Sequence, residues 1–268
     1  MITSKDLLDV KLLEHPFIRY ADTRFFHPGL SEQRKVLEVA YDFIADQKDP
    51  SKNLGVIAGP SGGGKSILAM KLAQTQFRFE GQGELLGLYM NTNALTEPRH
   101  FLMAIVDLLG LRGSRSNADR IDSILDYLKN ASEQLLLVLD GPPVDLEYMD
   151  QLLSWSIENN KKIKTLIFLQ DLNKTTSNIG SLNQYLGLYF PFRNASYTEI
   201  AAMLFARMQA AGHPNPLDLL PETKLYEIAE SSRNSLSEAL RLASIALEDA
   251  ISAQKGSPML KKLPLFGK

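Results

Sequence analysis

The stretch Gly59-Pro60-Ser61-Gly62-Gly63-Gly64-Lys65-Ser66 decides the predicted fold. It follows the apolar run 54–58 and precedes a segment, 67–73, whose apolar residues have helical spacing. The pattern is G-x-x-x-x-G-K-S in the context that it requires, a glycine-rich loop between a buried strand and a helix. We therefore predict a loop that holds the phosphates of a nucleoside triphosphate.

The residue types in this loop explain the predicted chemistry. Successive glycines let backbone N–H groups curve around an anion, and the following helix adds its positive N-terminal end. Lys65 is expected to reach the β- and γ-phosphates, and the Ser66 hydroxyl to bind Mg²⁺. The predicted nucleotide-binding residues are Gly59, Pro60, Ser61, Gly62, Gly63, Gly64, Lys65, Ser66 and Ile67. The predicted cofactors are ATP or ADP together with Mg²⁺.

A second metal ligand is predicted at Asp140, which ends the apolar run 135–139. P-loop proteins place an acidic residue that holds Mg²⁺ at the end of a later strand. The next residue is Gly141, at a position where a glutamate would polarise the attacking water in many P-loop ATPases. We therefore expect weak or slow hydrolysis. The sequence leaves open whether Asp145 or Glu147 substitutes for the missing glutamate.

Gln170 ends a further apolar run, 165–169. Ligands bind beyond the carboxyl ends of the strands in open α/β sheets, so Gln170 is predicted to sense the γ-phosphate or to orient water. The alternative is a polar cap on the end of a strand. The predicted catalytic residues are thus Lys65, Asp140 and Gln170. Arginines near plausible edges could stabilise transferred charge, although a solvated surface role is more typical of each: Arg112, Arg115, Arg120, Arg193 and Arg233.

The pattern of apolar runs predicts the domain organisation. Unbroken apolar runs between helical segments indicate strands buried on both faces, and hence a parallel α/β sheet. After Asn194 only helical spacing is found. We predict an irregular N-terminal segment (1–30) packed on the core, a nucleotide-binding domain (31–194), a helical lid domain (195–254) and a flexible tail (255–268).

The composition is ordinary for a soluble globular protein, with 44% hydrophobic and 22% charged residues in 268. A net charge of −2 provides no overall basic field for nucleic acid. The absence of cysteine excludes disulfides and thiolate metal sites. Without a signal-peptide core or a long apolar run, we expect a cytoplasmic protein with no membrane segment. The basic clusters 161–164 and 261–262 are most simply solvated, with DNA contact as the alternative.

The order of the phosphate loop, the acidic strand end, the polar end of the fourth strand and the helical lid resembles that of AAA+ ATPases. More narrowly, His15-Pro16-Phe17 and Asp22-Thr23-Arg24-Phe25-Phe26 look like the opening of the group that contains the ExeA/GspA secretion ATPases and the TnsC-type transposition ATPases. The predicted strands, numbered along the chain, are 54–58, 84–91, 135–140, 165–170 and 186–192. The resemblance implies an αβα sandwich in which these five strands form a parallel sheet of order 5-1-4-3-2, with a small C-terminal helical lid. It also implies that Gly59–Ser66 is the Walker A motif, Asp140 the Walker B residue and Gln170 the sensor 1 residue.

Two departures from this family pattern shape the functional expectation. Gly141 stands where the family usually has glutamate, and Ser231–Leu236 lacks the usual Gly-x-Pro-Arg, so the sensor 2 arginine is missing or displaced to Arg233. A complete binding loop beside an incomplete hydrolytic set predicts a nucleotide-dependent switch for self-assembly or partner docking. The alternatives are a TnsC-like, ATP-dependent DNA-binding assembly factor and an active ATPase that supports assembly of a secretion or pilus system.

Overall fold

The computed structural model describes most of the chain, namely residues 3–17, 23–27, 29–46, 49, 51–75, 77–78, 84–95, 97–111, 116–143, 145–159, 162–170 and 179–256. The chain divides into two compact units. One unit is Glu32–Arg193, and the other combines Met1–Ser31 with Asn194–Lys268. The first unit begins one residue after the start of the predicted nucleotide-binding domain (31–194) and stops one residue before its end. The predicted tail lies outside the described residues, apart from its first two, which end the last helix.

The unit Glu32–Arg193 contains a six-stranded sheet. Its strands are β1 (Leu54–Ala58), β2 (Phe77–Arg78), β3 (Glu84–Met90), β4 (Gln134–Asp140), β5 (Ile163–Leu169) and β6 (Leu186–Pro191). They lie in the order β2-β3-β4-β5-β1-β6. Only β2 runs antiparallel to its neighbour, and all other pairs are parallel. The five parallel strands thus have the predicted order, and the α/β fold prediction is confirmed. The short strand β2 was not predicted.

Nine α-helices are found among the described residues. They are α1 (Ser4–Asp9), α2 (Ser31–Ala45), α3 (Lys65–Gln74), α4 (Pro98–Leu108), α5 (Asn117–Asn130), α6 (Leu146–Glu158), α7 (Tyr197–Ala210), α8 (Glu222–Ser231) and α9 (Leu236–Gly256). Local signals set several of their starts. Capping boxes begin α5 and α7, and proline occupies the first turn of α4, where its missing N–H costs nothing. None of the described helices is long and apolar enough to cross a membrane.

The core of the sheet unit follows the two-residue period of its strands. Every residue of β1 and of β5 is buried, as expected for central strands of a parallel sheet. Alternate residues of β4, beginning with Leu135, share one buried cluster with side chains of α4, α5 and α6 such as Ile105, Ile124 and Leu152. This packing fixes the carboxyl ends of β1, β4 and β5 at one edge of the sheet.

The helical unit is built from both ends of the chain. Apolar side chains of the N-terminal segment belong to the same buried cluster as those of α7, α8 and α9; they are Leu7, Val10, Leu12, Phe17 and Leu30. The Leu13 N–H donates to the Ala211 carbonyl at 2.8 Å, and Arg207 donates to the Pro16 carbonyl at 3.3 Å.

The described buried contacts of residues 1–30 lie within the helical unit, whereas we expected this segment to pack on the nucleotide-binding core. Apolar anchors such as Phe17 show that a segment is tied down, but they carry no information about which apolar face they cover. Here that face belongs to the three C-terminal helices. The segment is also less irregular than expected, because Thr3 caps the short helix α1 with a capping box.

Candidate nucleotide-binding site

The sheet brings the predicted catalytic positions to one edge. In the strand register, Ala58 of β1 lies beside Leu169 of β5, and Asp140 of β4 lies beside Phe168 of β5. The Gly59 N–H continues this pairing by donating to the Leu169 carbonyl at 3.1 Å. The phosphate loop after β1, Asp140 at the end of β4 and Gln170 just after β5 therefore lie at the same edge. The Gln170 side chain is exposed there.

The loop between β1 and α3 requires glycine at two of its turns. Gly62 and Gly64 have φ angles of 76° and 92°, in the left-handed region that other residues rarely adopt. Gly64 is the N-cap residue of α3, so the free N–H groups of the first helical turn follow it directly. A loop of this kind, ending at a helix N-terminus, is suited to binding an anion.

The Lys65 side chain folds back on the loop. It is only 5% exposed, and its ammonium donates to the carbonyl oxygens of Gly59 at 3.0 Å and Pro60 at 2.6 Å. Burial lowers the pKa of Lys65 to about 8, although the charge of Asp140 acts to raise it. A partly desolvated ammonium is stabilised by a full negative charge more than by two neutral carbonyls. The lysine is thus placed to pair with phosphate oxygens.

Three residues around the end of β3 hold Asp140. The Tyr89 hydroxyl donates to Oδ2 of the carboxylate at 3.0 Å. The Thr92 hydroxyl and the Asn93 side-chain amide donate to the Asp140 backbone carbonyl at 3.3 Å and 3.1 Å. Burial, followed by the charge of Asp140 and this hydrogen bond, raises the pKa of Tyr89 far above its ordinary value. The phenol therefore remains a donor at neutral pH.

These three residues were missed in the sequence interpretation. Their signal was indirect, since Tyr89 lies near the end of a strand and Thr92 and Asn93 follow it. Only the pairing of β3 with β4 brings that end to Asp140. The pairing order of the strands came from a family resemblance, which does not specify the side chains that meet along the edge.

Gly141 has no room for a side chain. Its φ angle is 128°, which strains any residue with a Cβ atom. A Cβ atom there would clash with the Thr92 hydroxyl and would lie 2.7 Å from Nδ2 of Asn93. The side chains that hold the Asp140 carbonyl therefore occupy the space from which a glutamate side chain would start.

The two acidic residues considered as substitutes for that glutamate lie at the start of α6. The Asp145 carboxylate caps the helix by accepting the Tyr148 N–H at 3.0 Å. Glu147 lies in the first helical turn with an exposed side chain. Asp145 thus has a structural role in the fold.

The groups at the sheet edge fit a magnesium-bound triphosphate. Mg²⁺ prefers hard oxygen ligands, and the Ser66 hydroxyl and the Asp140 carboxylate supply them. Ser66 lies in the first turn of α3, next to the buried Lys65. Ile67 is also buried, so only its backbone is available to a nucleotide. The roles of these residues remain predictions, and the geometry is consistent with them.

Of the described lysines in the basic cluster 161–164, which was considered for DNA contact, Lys164 is buried rather than part of an exposed patch. The Lys164 side chain is 3% exposed, and its ammonium donates to the carbonyls of Phe43 and Asp46 at the end of α2. Carbonyls at a helix C-terminus attract a cation, which explains why a lysine is tolerated there. Lys162 donates to the Ala131 carbonyl at 2.7 Å. Lys161 and the cluster 261–262 lie outside the described residues.

The candidate arginines have different settings. Arg120 donates to the side chain of Asn117 at 2.6 Å, and Arg193 is exposed after β6. Arg233, in the helical unit, is exposed and has a left-handed φ of 52°. A role for any of these arginines at the nucleotide remains a prediction. The other arginine candidates, Arg112 and Arg115, lie outside the described residues.

Comparison with known proteins identifies the fold. No protein-family model matches the chain, and no curated protein is similar to it in sequence. The ORC2 protein of Aeropyrum pernix, solved in ADPNP-ADP complexes, matches 87% of this chain and 71% of its own with a TM-score of 0.63 and 16% identity. Cdc6p from Pyrobaculum aerophilum matches 90% of this chain and 65% of its own with a TM-score of 0.66 and 17% identity.

A third similar structure is the Aeropyrum pernix ORC1 protein in complex with DNA. It matches 88% of this chain and 68% of its own with a TM-score of 0.56 and 18% identity. At these identities the likeness shows the fold alone. The chain has the AAA+ αβα fold with a helical C-terminal region, and the broader of the two resemblances is confirmed at that level.

Proposed function

We propose that this protein binds ATP with Mg²⁺ and uses the bound nucleotide as a switch for self-assembly or for docking of a partner, while hydrolysing it slowly. Gly59–Ser66 would hold the phosphates, with Lys65 on the β- and γ-oxygens. Ser66 and Asp140 would hold the metal. Gln170 would sense the γ-phosphate. The AAA+ fold supports the nucleotide-binding part of this proposal, as does the solution of one similar structure in ADPNP-ADP complexes.

The observation that carries the proposal is the environment of Gly141. Efficient hydrolysis needs a group that orients and deprotonates the attacking water, usually the residue after the Walker B aspartate in the family that the sequence resembles. Here that residue has a φ angle of 128° and its Cβ position is blocked by Thr92 and Asn93. The loop for binding is complete, whereas the position of the usual base is closed. We therefore expect bound ATP to be hydrolysed more slowly than in an ATPase that has this glutamate.

Nucleotide binding is tested by calorimetric titration of ATP and ADP in the presence of Mg²⁺. Lys65→Ala removes the cation that faces the phosphates, and we expect it to abolish measurable binding without unfolding the protein. Lys71→Ala is the matched control, because Lys71 lies in the same helix about one and two-thirds turns further on. Undiminished affinity in Lys65→Ala, with Lys71→Ala equal to the parent protein, would refute the site.

The switch is tested by measuring turnover and mass in the same preparation. We expect fewer than about one ATP hydrolysed per second, at the low end of ordinary enzyme turnover. We also expect the mass in solution, measured without nucleotide, with ADP and with ATP, to differ between the ATP state and the other two, either for the protein alone or with its partner. Fast turnover would identify an active motor ATPase instead.

The narrower resemblance to the ExeA/GspA and TnsC groups remains part of this proposal.

A second candidate function is ATP-dependent binding to duplex DNA as an assembly factor. The ORC1 protein, which shares the fold, was solved in complex with DNA, and this observation favours the candidate. Lys164, one of the lysines first considered, does not support it, because its side chain is buried. DNA binding would be measured by fluorescence anisotropy at several salt concentrations with ATP and Mg²⁺, because phosphate contacts weaken steeply as salt rises. No binding at low salt in the ATP state would exclude it.

A further inference from the structure

The Tyr89 hydroxyl is the one described side-chain group that is hydrogen-bonded to the Asp140 carboxylate. The hydroxyl oxygen lies 3.0 Å from Oδ2 of Asp140, and the tyrosine is partly buried. Tyr89 belongs to β3, whose register with β4 places it beside Val138, two residues before the aspartate. The tyrosine is therefore fixed by the sheet and reaches forward along the edge to the carboxylate.

Both the backbone carbonyl and the side-chain carboxylate of Asp140 accept hydrogen bonds from residues at or just after the end of β3. Thr92 and Asn93 donate to its backbone carbonyl, and Tyr89 donates to its side chain. Hydrogen bonds on the backbone alone would leave the carboxylate free to rotate about its side-chain torsions. The phenol removes that freedom by fixing one carboxylate oxygen, while the carboxylate keeps further lone pairs for other partners.

We propose that Tyr89 is a positioning residue for Mg²⁺, acting through the Asp140 carboxylate. This inference rests on the proposed function, in which Asp140 holds the metal of the bound nucleotide. Carboxylates that bind metals are themselves usually hydrogen-bonded, and loss of such a partner typically weakens metal affinity by about 10- to 100-fold. A tyrosine that only filled space at the sheet edge would have no such effect on the metal.

The test compares Tyr89→Phe with the parent protein in nucleotide titrations at increasing Mg²⁺ and in EDTA. We expect the factor by which saturating Mg²⁺ enhances ATP affinity to fall about 10- to 100-fold, with unchanged affinity in EDTA. Tyr185→Phe is the matched control, because it removes the same kind of bond in the same unit, from Tyr185 to the Asp150 carboxylate at 2.9 Å. We expect this control to leave the Mg²⁺ dependence unchanged.

Tyr89→Leu separates a role of the hydroxyl from a role of the ring. If the hydroxyl acts, the Phe and Leu variants shift the Mg²⁺ dependence alike. If only the ring acts, Phe equals the parent protein and the inference is overturned. It is equally overturned if Tyr185→Phe shifts the Mg²⁺ dependence as far as Tyr89→Phe does.

The parent protein and Asp140→Asn distinguish this failure from failure of the proposed function. Parent protein that binds no ATP, or binds it equally well with Mg²⁺ and in EDTA, would overturn both proposals together. A parent protein whose Mg²⁺ enhancement is lost in Asp140→Asn but kept unchanged in Tyr89→Phe would overturn the role of Tyr89 alone.

Discussion

Replacement of Gly141 by alanine is expected to lower the free energy of unfolding of the sheet unit by more than backbone strain alone would. The backbone there has a φ angle of 128°, and a Cβ atom would collide with Thr92 and Asn93. Holding a residue with a Cβ atom in such a conformation costs about 1 to 3 kcal/mol. The two side chains must also move and release the Asp140 carbonyl, and each lost hydrogen bond costs about 0.5 to 1.5 kcal/mol. The expected loss of stability is therefore about 2 to 6 kcal/mol.

Gly110→Ala supplies the matched control for this change. Gly110 also has a positive φ angle, 66°, but a Cβ atom added there would meet nothing within 4 Å. Its alanine variant is expected to lose only the cost of a left-handed backbone, about 1 to 2 kcal/mol. The difference between the two variants thus reports the crowding at Gly141 together with the greater backbone strain at its φ angle of 128°.

Urea unfolding followed by tryptophan fluorescence measures both changes in the unit concerned. The chain has a single tryptophan, Trp155, which lies in α6 of the same unit as both glycines. A local probe is needed because two compact units need not unfold in one transition. If Gly141→Ala were no less stable than Gly110→Ala, the reasoning about the blocked position would be refuted.

The same reasoning applies to Gly141→Glu, which introduces the residue that the family usually has at this position. Because its side chain would start in the space of Thr92 and Asn93, we expect this variant to be less stable and to hydrolyse ATP no faster than the parent protein. A clear gain in steady-state turnover would show that the missing glutamate alone limits hydrolysis.

Three further predictions concern other contacts within the two units. Lys164→Met should cost about 1.5 to 3 kcal/mol in urea unfolding, since hydrogen bonds from its ammonium to the carbonyls of Phe43 and Asp46 are lost; a neutral result would refute that role. Phe17→Ala should cost about 3 to 5 kcal/mol in the helical unit, measured by thermal unfolding followed by circular dichroism, and no loss would contradict its place in that core. Burial acts to raise the pKa of Glu199, but hydrogen bonds from Ser31 and Ser196 outweigh it and lower this pKa to about 2. Glu199 therefore contributes stability that is present above its ordinary pKa and is lost as pH falls toward 2, so Glu199→Gln should be less stable at neutral pH and equal near pH 2 in pH-dependent melting.

Much of the sheet unit could be predicted because its signals are local. The loop Gly59–Ser66 is recognised by composition and spacing, and apolar runs ending in Asp140 and Gln170 mark buried strands. Parallel strands place their carboxyl ends together, so the approximate convergence of these residues followed from the fold. The order of the strands needed a family resemblance, because an apolar run does not specify its neighbour.

The remaining features depend on which surfaces meet in three dimensions. Tyr89 has no local mark of its relation to Asp140, since only the pairing of β3 with β4 brings them together. Lys164 was interpreted as part of an exposed cluster because neighbouring lysines suggest a solvated face, whereas its place in a central strand buries it. Phe17 was recognised as an anchor, but the face that it covers belongs to helices near the other end of the chain.

The composition of the helical unit from both chain ends has a consequence for synthesis on the ribosome. The N-terminal segment emerges before Glu32–Arg193, yet its core partners follow Asn194 and emerge after that unit. The whole of Glu32–Arg193 can leave the exit tunnel and fold while Leu12 and Phe17 still lack a core to enter. A ribosome-bound chain that has left the exit tunnel only as far as Arg193 should therefore combine a protease-resistant sheet unit with a cleavable N-terminus, and protection of that N-terminus should appear only once α7–α9 have also left the tunnel.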